Sequence, residues 1–582
     1  MRSKRVVTAV AAGAAVAMAL SACGGGSSSS SNAAGEFDAA NKGQVFNASD
    51  RKGGTLKVAN PGTWDSLDPG ETYYGYSWNF ARLYSRALVT FKPAPGDGST
   101  ELVPDLAESL GVPSDGGKTW TYKLREGIKF EDGKPVTSKD VAYAVLRSTD
   151  KEEFPHGPAY FEQYLNLPAD YKGPYKTPTV DTSSAITTPD DRTVVFHLKQ
   201  AFGGFDYFAQ LSQTAPVPQA EDKGKRYKEK IVSTGPYKFE TNEIDKRFTL
   251  VRNDQWDPAT DPNRKALPDR YEVEMGVEAN DVDNRLLSGD LHVEVTGNGI
   301  QQASLSRVLG DPALKAQADN PGSPRLNYTS IVPTVAPLDN LDCRKAIEFA
   351  ADRASYQNAY GGPFSGGDIA STVLPPQIPG HQKFDLYASP ESKGDVDKAK
   401  QALAACGKPD GFETNIAYRA ERPKEKAAAE SLQQSLARVG IKLTLKAFPE
   451  GDYFSQFAGN PGYVVKNNLG LVVNSWGADW NDGFGFLSQI VDSRVIRENG
   501  GSSNISVRLP EVDSQLDAAF AEVDNAKREQ AWGEIDKAVM EQAVILPGVY
   551  AKFLLLRGKG LTNVFINESY GMYDYTALGL SG

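Results

Sequence analysis

The chain of 582 residues is long enough for three or four domains of ordinary size. Its composition, 40% hydrophobic and 24% charged, excludes collagen, a multi-span membrane protein and a chain that is disordered throughout. The 74 acidic residues outnumber the 63 lysines and arginines, and no basic run with interleaved aromatic residues offsets the net charge of −11, so a nucleic-acid partner is not expected.

The N-terminus predicts export and attachment to a membrane. Three basic residues among the first five precede an apolar stretch over residues 6–20, which is too short to span a bilayer comfortably and is typical of a signal peptide, here residues 1–22. Leu20-Ser21-Ala22-Cys23 follows and resembles the lipobox of bacterial lipoproteins, in which cleavage leaves a lipid-modified cysteine. Acyl chains on Cys23 would hold the protein to the outer face of the cytoplasmic membrane. The alternative is an ordinary signal peptide with a chance cysteine.

The next segment predicts a tether. Residues 24–31 are all glycine or serine, and the polar stretch up to Lys52 offers little that could pack. A flexible link is therefore expected over residues 23–52, with folding from Gly53.

Short periodic patterns predict the first elements of the body. Residues 55–59 are predicted as a strand and residues 79–87 as a helix, with turn signals between them. Apolar and polar residues alternate over 120–124 and again over 128–130, which predicts two strands.

Later elements are marked by helix caps and stops. Thr137 with Asp140 predicts a capping box at the start of a helix. Leucines at helical spacing end at Gly440, and Trp532 begins a second amphipathic pattern near the C-terminus. Further strands are predicted over residues 441–445, 469–473 and 544–546.

Cys343 and Cys406 are the two cysteines of the body, and each lies in a helical pattern. Asp342 and Asp395 are predicted to cap these helices, so that both thiols point toward the core. In an exported protein this favours a disulfide, with two separately buried thiols as the alternative. Since no histidine is near either cysteine in sequence, catalytic and metal roles are not expected.

Two segments carry a family resemblance. Residues 104–109, Pro-Asp-Leu-Ala-Glu-Ser, and residues 120–141, which begin Trp-Thr-Tyr-Lys-Leu-Arg-Glu-Gly-Ile-Lys-Phe, resemble the family 5 extracellular solute-binding proteins of ABC importers, the peptide/nickel group. The resemblance extends over essentially the whole mature chain. Further similar segments are Lys52-Gly53-Gly54-Thr55-Leu56, Ser233-Thr234-Gly235-Pro236-Tyr237-Lys238-Phe239, Arg252-Asn253 with Trp256, Arg344-Lys345-Ala346-Ile347 with Ala351-Asp352-Arg353, Leu374-Pro375-Pro376 and Ala543-Val544-Ile545-Leu546-Pro547.

The resemblance implies a two-lobed α/β architecture, the periplasmic-binding-protein type II fold (cluster C), with an extra domain inserted in lobe one. The hinge candidates are Tyr328-Thr329-Ser330 and Tyr550-Ala551. The implied boundaries are residues 53–95, 225–327 and 552–582 for lobe one, 96–224 for the inserted domain, and 328–551 for lobe two.

The resemblance also implies a function. The expected protein is a membrane-anchored extracytoplasmic receptor, most simply a monomer, that captures oligopeptides between its lobes and delivers them to an ABC permease with its ATPase subunits. No cofactor and no catalysis are expected. Because contacts to both lobes form only when they close, a solute would shift the population toward the closed form.

Trp476-Gly477-Ala478-Asp479-Trp480-Asn481-Asp482 is the candidate ligand site, since it follows an apolar strand. In peptide-binding relatives an aspartate in a Trp-x-Ala-Asp arrangement pairs with the ligand's α-ammonium, and Asp479 falls on that position. Trp476 would provide an apolar wall, and Gly477 would leave backbone accessible. Tyr73-Tyr74-Gly75, opposite in the resembling layout, would supply a second edge and an aromatic lid. Without the family, Asp479 is a loop aspartate and the tyrosines are packing residues.

The same family includes binders of nickel, haem and oligosaccharides. The four histidines, at positions 156, 197, 292 and 381, are widely separated, which disfavours a metal site. A sugar ligand stays open, since Trp64, Trp78, Trp476 and Trp480 could stack on pyranose faces. No lysine or arginine occurs over residues 467–480, so the sequence locates no anchor for a peptide carboxylate.

A secreted hydrolase is the remote alternative. The chain has no Gly-x-Ser-x-Gly, His-Glu-x-x-His or glycine-rich phosphate loop. Asp479 and Asp482 could imitate a glycosidase pair, but their spacing alone decides nothing.

Overall fold

The computed structural model describes residues 36–505, 507–522 and 524–582, apart from the side chain of Asn525. The predicted signal peptide and Cys23 lie outside these residues.

Strands are distributed along the whole described chain. In chain order they are β1 (Thr55–Asn60), β2 (Val89–Phe91), β3 (Leu102–Pro104), β4 (Val112–Ser114), β5 (Thr119–Lys123), β6 (Ile186–Asp190), β7 (Thr193–His197), β8 (Tyr237–Glu243), β9 (Arg247–Arg252), β10 (Arg270–Met275), β11 (Val293–Glu294), β12 (Ala318–Asp319), β13 (Gly322–Ile331), β14 (Gly367–Ile369), β15 (Glu413–Arg419), β16 (Lys442–Phe448), β17 (Leu471–Gly477), β18 (Ile545–Lys552), β19 (Leu555–Leu556), β20 (Leu561–Thr562), β21 (Ile566–Asn567), β22 (Met572–Tyr573) and β23 (Gly579–Leu580).

The α-helices cluster most densely after residue 340. In chain order they are α1 (Gly75–Ala81), α2 (Ser138–Ser148), α3 (Tyr160–Tyr164), α4 (Asp206–Ala209), α5 (Ala279–Ser288), α6 (Gln302–Gly310), α7 (Pro312–Lys315), α8 (Leu341–Ala350), α9 (Arg353–Tyr360), α10 (Gly362–Ser365), α11 (Val396–Ala405), α12 (Pro423–Ala437), α13 (Pro461–Lys466), α14 (Gly483–Val491), α15 (Pro510–Ala521) and α16 (Asn525–Glu541).

Lobe one is built on a mixed sheet of order β11-β1-β10-β9-β8. The strand β1 runs parallel to both β10 and β11, and β8, β9 and β10 form an antiparallel meander. Aromatic side chains from α1, from β10 and from the C-terminal segment fill the core of this lobe, among them Phe80, Tyr271 and Tyr575.

Lobe two is built on a sheet of order β14-β18-β13-β17-β15-β16. The predicted hinge segments lie in β13 and β18, which are antiparallel neighbours in this sheet, with Leu326 opposite Tyr550. Helices α8, α9 and α12 cover one face and bury an aliphatic core. Cys343 on α8 and Cys406 at the end of α11 form a disulfide with a Cα–Cα distance of 5.4 Å, so the structure has the bridge rather than two separate thiols.

The inserted unit contains the antiparallel sheet β4-β5-β7-β6 and the helix α2. Its aromatic core continues into the helices that follow β17. The rings of Phe202 and Phe520 stack with centroids 4.4 Å apart, and those of Tyr160 and Trp480 are 5.0 Å apart. The insert therefore packs against lobe two as well as lobe one, which the sequence did not indicate.

Several predicted elements are confirmed. The predicted capping box at Thr137 is present at the start of α2. Strands β1, β5, β16, β17 and β18 cover the predicted segments to within a few residues. Helix α12 ends at Ala437, three residues before the predicted stop at Gly440.

Two predicted elements differ. The helix α1 covers residues 75–81 rather than 79–87, because the carbonyl groups of Leu83 and Tyr84 accept hydrogen bonds from residues 234–237 instead of from a following helical turn. Residues 128–130 form only an isolated bridge, Lys129 with Pro135, since proline has no N–H to continue a ladder.

The described part of the predicted tether, residues 36–52, packs on lobe one. The backbone N–H of Asp38 donates to the Ala318 carbonyl at 2.8 Å, and that of Ala40 donates to the Asp319 carboxylate at 2.9 Å. The folded body therefore begins before Gly53, and the prediction of an unpacked link up to Lys52 is wrong for these residues. The polar sequence of this segment did not predict the packing, because the partners are backbone and carboxylate groups far along the chain.

A buried ionic cluster joins the insert to lobe one. The Asp105 carboxylate accepts from Arg86 Nε at 2.8 Å and from Arg264 Nη2 at 2.6 Å. Burial alone would raise the pKa of Asp105, but the adjacent Arg264 and Arg86 guanidinium groups hold it below its usual range. Removing one member of such a cluster leaves a buried charge uncompensated.

We expect Asp105→Asn to lower the free energy of unfolding by about 3–5 kcal/mol, because two buried arginines are left with Asp261 as their single counterion among the described residues. Denaturant unfolding measures this. The matched control is Asp269→Asn, at an exposed ion pair with Arg252 (3.0 Å), expected to change stability by less than about 1 kcal/mol. Equal effects of the two substitutions would contradict this account of the cluster.

Candidate functional site

A cavity of about 1320 Å³, partly open to solvent, lies where the two lobes and the insert meet. Lobe one contributes residues 73–76 and Trp78, the insert contributes Pro155 and His156, and lobe two contributes residues 475–479. A second space of about 750 Å³ adjoins it and shares lining residues with it. Together they make a cleft large enough for a small organic ligand.

Asp479 is positioned by the end of β17. The strand is a buried run of Leu, Val and Asn before it reaches the cavity at Ser475. Its last residues stay aligned with β13, since Ala478 N–H donates to the Pro324 carbonyl at 3.1 Å. Asp479 N–H then donates to the Gly485 carbonyl at 3.0 Å, which fixes the loop against the start of α14. The carboxylate is thus presented at the carboxyl end of a strand.

Two tyrosines from outside lobe two donate hydrogen bonds to Asp479. Tyr73 of lobe one lies 2.8 Å from Oδ2, and Tyr160 of the insert lies 2.5 Å from the same oxygen. The other oxygen, Oδ1, accepts no hydrogen bond from any residue that the structure describes. One carboxylate of lobe two therefore accepts hydrogen bonds from lobe one and from the insert and keeps one oxygen available.

The electrostatic setting of Asp479 is unusual. Only 8% of the residue is exposed, and none of the described residues forms an ion pair with it. Burial raises the pKa of Asp479 to about 7, and the hydrogen bonds from Tyr160 and Tyr73 oppose this only in part. A carboxylate with this pKa gains much from a cation that enters the cavity.

Aromatic rings frame the carboxylate. Tyr73 stacks on Trp78 with centroids 5.4 Å apart and meets Trp476 edge-on at 6.1 Å. Tyr74 stacks on Tyr76 at 5.4 Å. The wall is therefore rigid and apolar, with hydroxyl groups at defined points.

The structure brings together the residues that the sequence singled out. Trp476, Gly477, Asp479, Tyr74 and Gly75 all line the cavity. Their roles toward a ligand stay predictions. Sequence reasoning missed several other lining residues, namely Asp65, His156, Arg325, Arg419, Arg422 and Glu450, together with Tyr160, which reaches Asp479 from the insert.

The tryptophans proposed to stack on sugars separate into two groups. Trp64 and Trp480 are buried in aromatic cores and do not line the cavity. Trp78 and Trp476 line it, but their indole N–H groups are bonded to the carbonyls of Thr72 and Phe486. Two of the four tryptophans that could stack on a sugar therefore line the cavity, and the other two are core residues.

Asp482 does not pair with Asp479. It caps α14 by accepting from Phe484 N–H at 2.8 Å, and it is not part of the cavity lining. The two aspartates thus do not form the carboxylate pair that a glycosidase would need.

The described part of the chain has neither a metal-binding cluster nor a membrane-spanning helix. No group of three or more His, Cys, Asp or Glu there could hold a metal ion. His156 lines the cavity, whereas the other three histidines do not. No described helix is both long and apolar enough to cross a bilayer.

The model of the bacterial extracellular solute-binding proteins, family 5 Middle, matches residues 101–497. The chain belongs to this family. Its α/β structure has the two-lobed architecture of the family's solved members, as predicted. A solved structure described as clavulanic acid biosynthesis oligopeptide binding protein 2 is 41% identical, has a TM-score of 0.87, and covers 94% of this chain and 99% of that one.

Curated relatives are similar in sequence to this chain over most of their own length. Glutathione-binding protein GsiB of Salmonella paratyphi A is 27% identical over 534 residues, 88% of this chain and 92% of that protein. Heme-binding protein A of Haemophilus influenzae is 26% identical over 506 residues, 83% of this chain and 84% of that protein. These names cover chemically different solutes, so the family alone does not choose the ligand of this solute-binding protein.

We expect Asp479→Asn to raise the melting temperature of this solute-binding protein more at pH 8 than at pH 5. Because its pKa is raised in the folded state, the stability contribution of Asp479 is complete below its ordinary pKa of about 4 and is lost as the pH rises through about 7. The asparagine side chain of the variant does not ionise, so the variant keeps its stability as the pH rises. Thermal unfolding without ligand at both pH values measures it.

The control is Asp50→Asn, at an exposed aspartate whose hydrogen bond from Lys265 lowers its pKa. Asp50 is ionised at both pH values, so its replacement should change the melting temperature by the same amount at pH 5 and at pH 8. A melting-temperature difference for Asp479→Asn that is equal at pH 5 and pH 8 would contradict the raised pKa.

Proposed function

We propose that this protein is the membrane-anchored receptor that captures oligopeptides in the interlobe cavity and delivers them to an ABC permease. The observation that carries the proposal is the buried Asp479 carboxylate, which has no cationic partner among the described residues and leaves one oxygen free. A peptide α-ammonium supplies the missing charge and three N–H donors.

The strand edge beside Asp479 suits a peptide backbone. β15 pairs with β17 only at Leu471 and Val472, so the edge from Val473 to Gly477 has no strand partner on that side among the described residues. An extended peptide can add there as a further strand, with main-chain hydrogen bonds giving affinity and its side chains reaching the wider cavity. Gly477 adds no side chain that would obstruct this approach.

Closure follows from the same contacts. Since Tyr73 and Tyr160 reach Asp479 from lobe one and from the insert, the site is complete only when the lobes are together. A ligand ammonium bound at this point stabilises the closed form, and the permease can sense that form. The receptor acts as a monomer and releases its solute unchanged, so peptides incubated with it should be recovered intact.

We expect Asp479→Asn to weaken peptide binding by about 10- to 100-fold, because it removes a charge-assisted hydrogen bond in a dry site. The probe is an equimolar mixture of tri- and tetrapeptides of Ala, Leu and Ser, measured by native mass spectrometry and then by calorimetry on the tightest binder.

The control is the same mixture with acetylated N-termini. It should bind the wild-type protein as weakly as the free peptides bind the Asp479→Asn protein, and the substitution should not weaken it further. Unchanged affinity of the free peptides after Asp479→Asn would refute the site assignment.

The proposed lipid anchor at Cys23 can be tested separately. Cys23→Ser should move the protein from the membrane fraction to the culture fluid or soluble fraction, because the polar tether cannot hold a membrane by itself. Metabolic labelling with a fatty acid and cell fractionation measure this, with Cys343→Ser as the control that keeps the label. Retention of a labelled Cys23→Ser protein in the membrane would rule out this anchor.

A further inference from the structure

The chain passes between the two lobes at two adjacent points. The short strands β12 and β19 pair with each other, and they lie directly before β13 and directly after β18, the strands that contain the predicted hinge segments. Asn320 Nδ2 donates to the Phe553 carbonyl at 3.2 Å, and Phe553 N–H donates to the Pro321 carbonyl at 3.3 Å. The two crossing segments are therefore bonded to each other, and a group that contacts them also contacts the base of the hinge.

Residues 36–40 are bonded to both crossing segments, and we call them the N-terminal strap. Besides the hydrogen bonds to β12 described above, Asn320 N–H donates to Asp38 Oδ1 at 2.7 Å. Arg557 Nη2, from the segment just after β19, donates to the Glu36 carbonyl at 3.2 Å. The strap is thus fixed to lobe one at the two points where the chain enters and leaves lobe two.

Asp38 sets the shape of the strap. Its φ is +62°, a left-handed conformation that aspartate tolerates better than most residues. Its second carboxylate oxygen, Oδ2, accepts from Asn41 Nδ2 at 3.2 Å, which holds the turn. After the turn, Ala40 is buried in the core of lobe one, whereas Phe37, before the turn, is only half-buried.

Phe37 reaches from lobe one to lobe two. Its ring centroid lies 5.6 Å from that of Phe364, at an interplanar angle of 33°. Phe364 belongs to α10, which leads into β14, and Gly367 in β14 pairs with Ala551 in β18 of the lobe two sheet. On the lobe one side, Lys315 Nζ lies 5.2 Å from the centroid of the Phe37 ring.

The contact between Phe37 and Phe364 is separate from the ligand site. Both rings pack against an aliphatic cluster of lobe one, and neither lines the large cavity or the space that adjoins it. The strap therefore joins the two lobes from outside the cleft.

We propose that the N-terminal strap favours the closed form from outside the cleft, so that part of the protein is closed before any ligand binds. The strap is bonded to lobe one, whereas Phe364 moves with lobe two, so a rotation about the crossing segments changes the contact between the two rings. An aromatic pair of this kind shifts an equilibrium by about two- to tenfold. This inference goes beyond the proposed function and does not depend on the identity of the ligand.

Distances between the lobes of the ligand-free protein test this proposal. Asn284→Cys in α5 and Gln434→Cys in α12 provide exposed positions for nitroxide labels. Both helices begin at the second space described above, α5 from lobe one and α12 from lobe two. The labels are attached in the Cys23→Ser protein, where Cys343 and Cys406 are bridged and do not react. Pulsed electron paramagnetic resonance then gives the ratio of closed to open protein.

We expect Phe37→Ala to lower the closed-to-open ratio by about two- to tenfold. Phe364→Ala should lower it by the same factor, and the double variant should lower it no further, because both substitutions remove the same contact. Phe46→Ala is the matched control. Phe46 is bonded through its backbone to Val564, and the guanidinium carbon of Arg557 lies 4.5 Å from its ring centroid. Since both of these partners belong to lobe one, Phe46→Ala should leave the ratio unchanged.

Equal ratios for the wild-type protein and Phe37→Ala would overturn the proposal, whether the protein is mainly open or mainly closed. An equal fall for Phe46→Ala would assign the effect to general loosening of the N-terminal segment and would also overturn it. If Phe37→Ala does not fold, Phe364→Ala decides by the same criteria. Because the measurement uses no ligand, failure of the strap leaves the proposed function standing, and failure of peptide binding leaves the strap standing.

Discussion

The organisation of this protein depends on one buried carboxylate without a cation. Asp479 lies at the end of a strand in lobe two, and among the described residues its side-chain partners are one tyrosine from lobe one and one tyrosine from the insert. These hydrogen bonds satisfy part of the carboxylate but do not neutralise it, which is why its pKa lies near 7. The hydrogen bonds thus position the carboxylate, but its negative charge has no ionic partner among the described residues.

The rest of the fold holds this arrangement rigid. The insert shares an aromatic core with the helices after β17, so Tyr160 is fixed on the lobe two side, whereas Tyr73 stacks on Trp78 and meets Trp476 edge-on. Outside the cavity, the buried Asp105 carboxylate is paired with both Arg86 and Arg264. The Asp479 carboxylate in the cavity, by comparison, has no ion-pair partner among the described residues, and its role toward a ligand is the proposal made above.

Much of the fold and half of the site follow from local sequence. The strand before Asp479 has a clear pattern, and the family resemblance supplied Asp479 itself together with Tyr73, Tyr74 and Gly75. Tyr160 could not be found in this way, because it lies 319 residues from Asp479 and belongs to an element that reads as ordinary packing. Arg325 was missed because a place in the cavity lining is a property of three-dimensional neighbours. The packing of residues 36–52 was missed for the same reason, since its partners lie hundreds of residues away.

A crystal structure of the protein with a bound neutral tripeptide tests the central claim most directly. The account predicts the peptide ammonium within about 3 Å of Asp479 Oδ1, with Tyr73 and Tyr160 still donating to Oδ2. A well-ordered peptide that places its ammonium elsewhere, or a cleft whose ligand leaves Asp479 facing water alone, would contradict it.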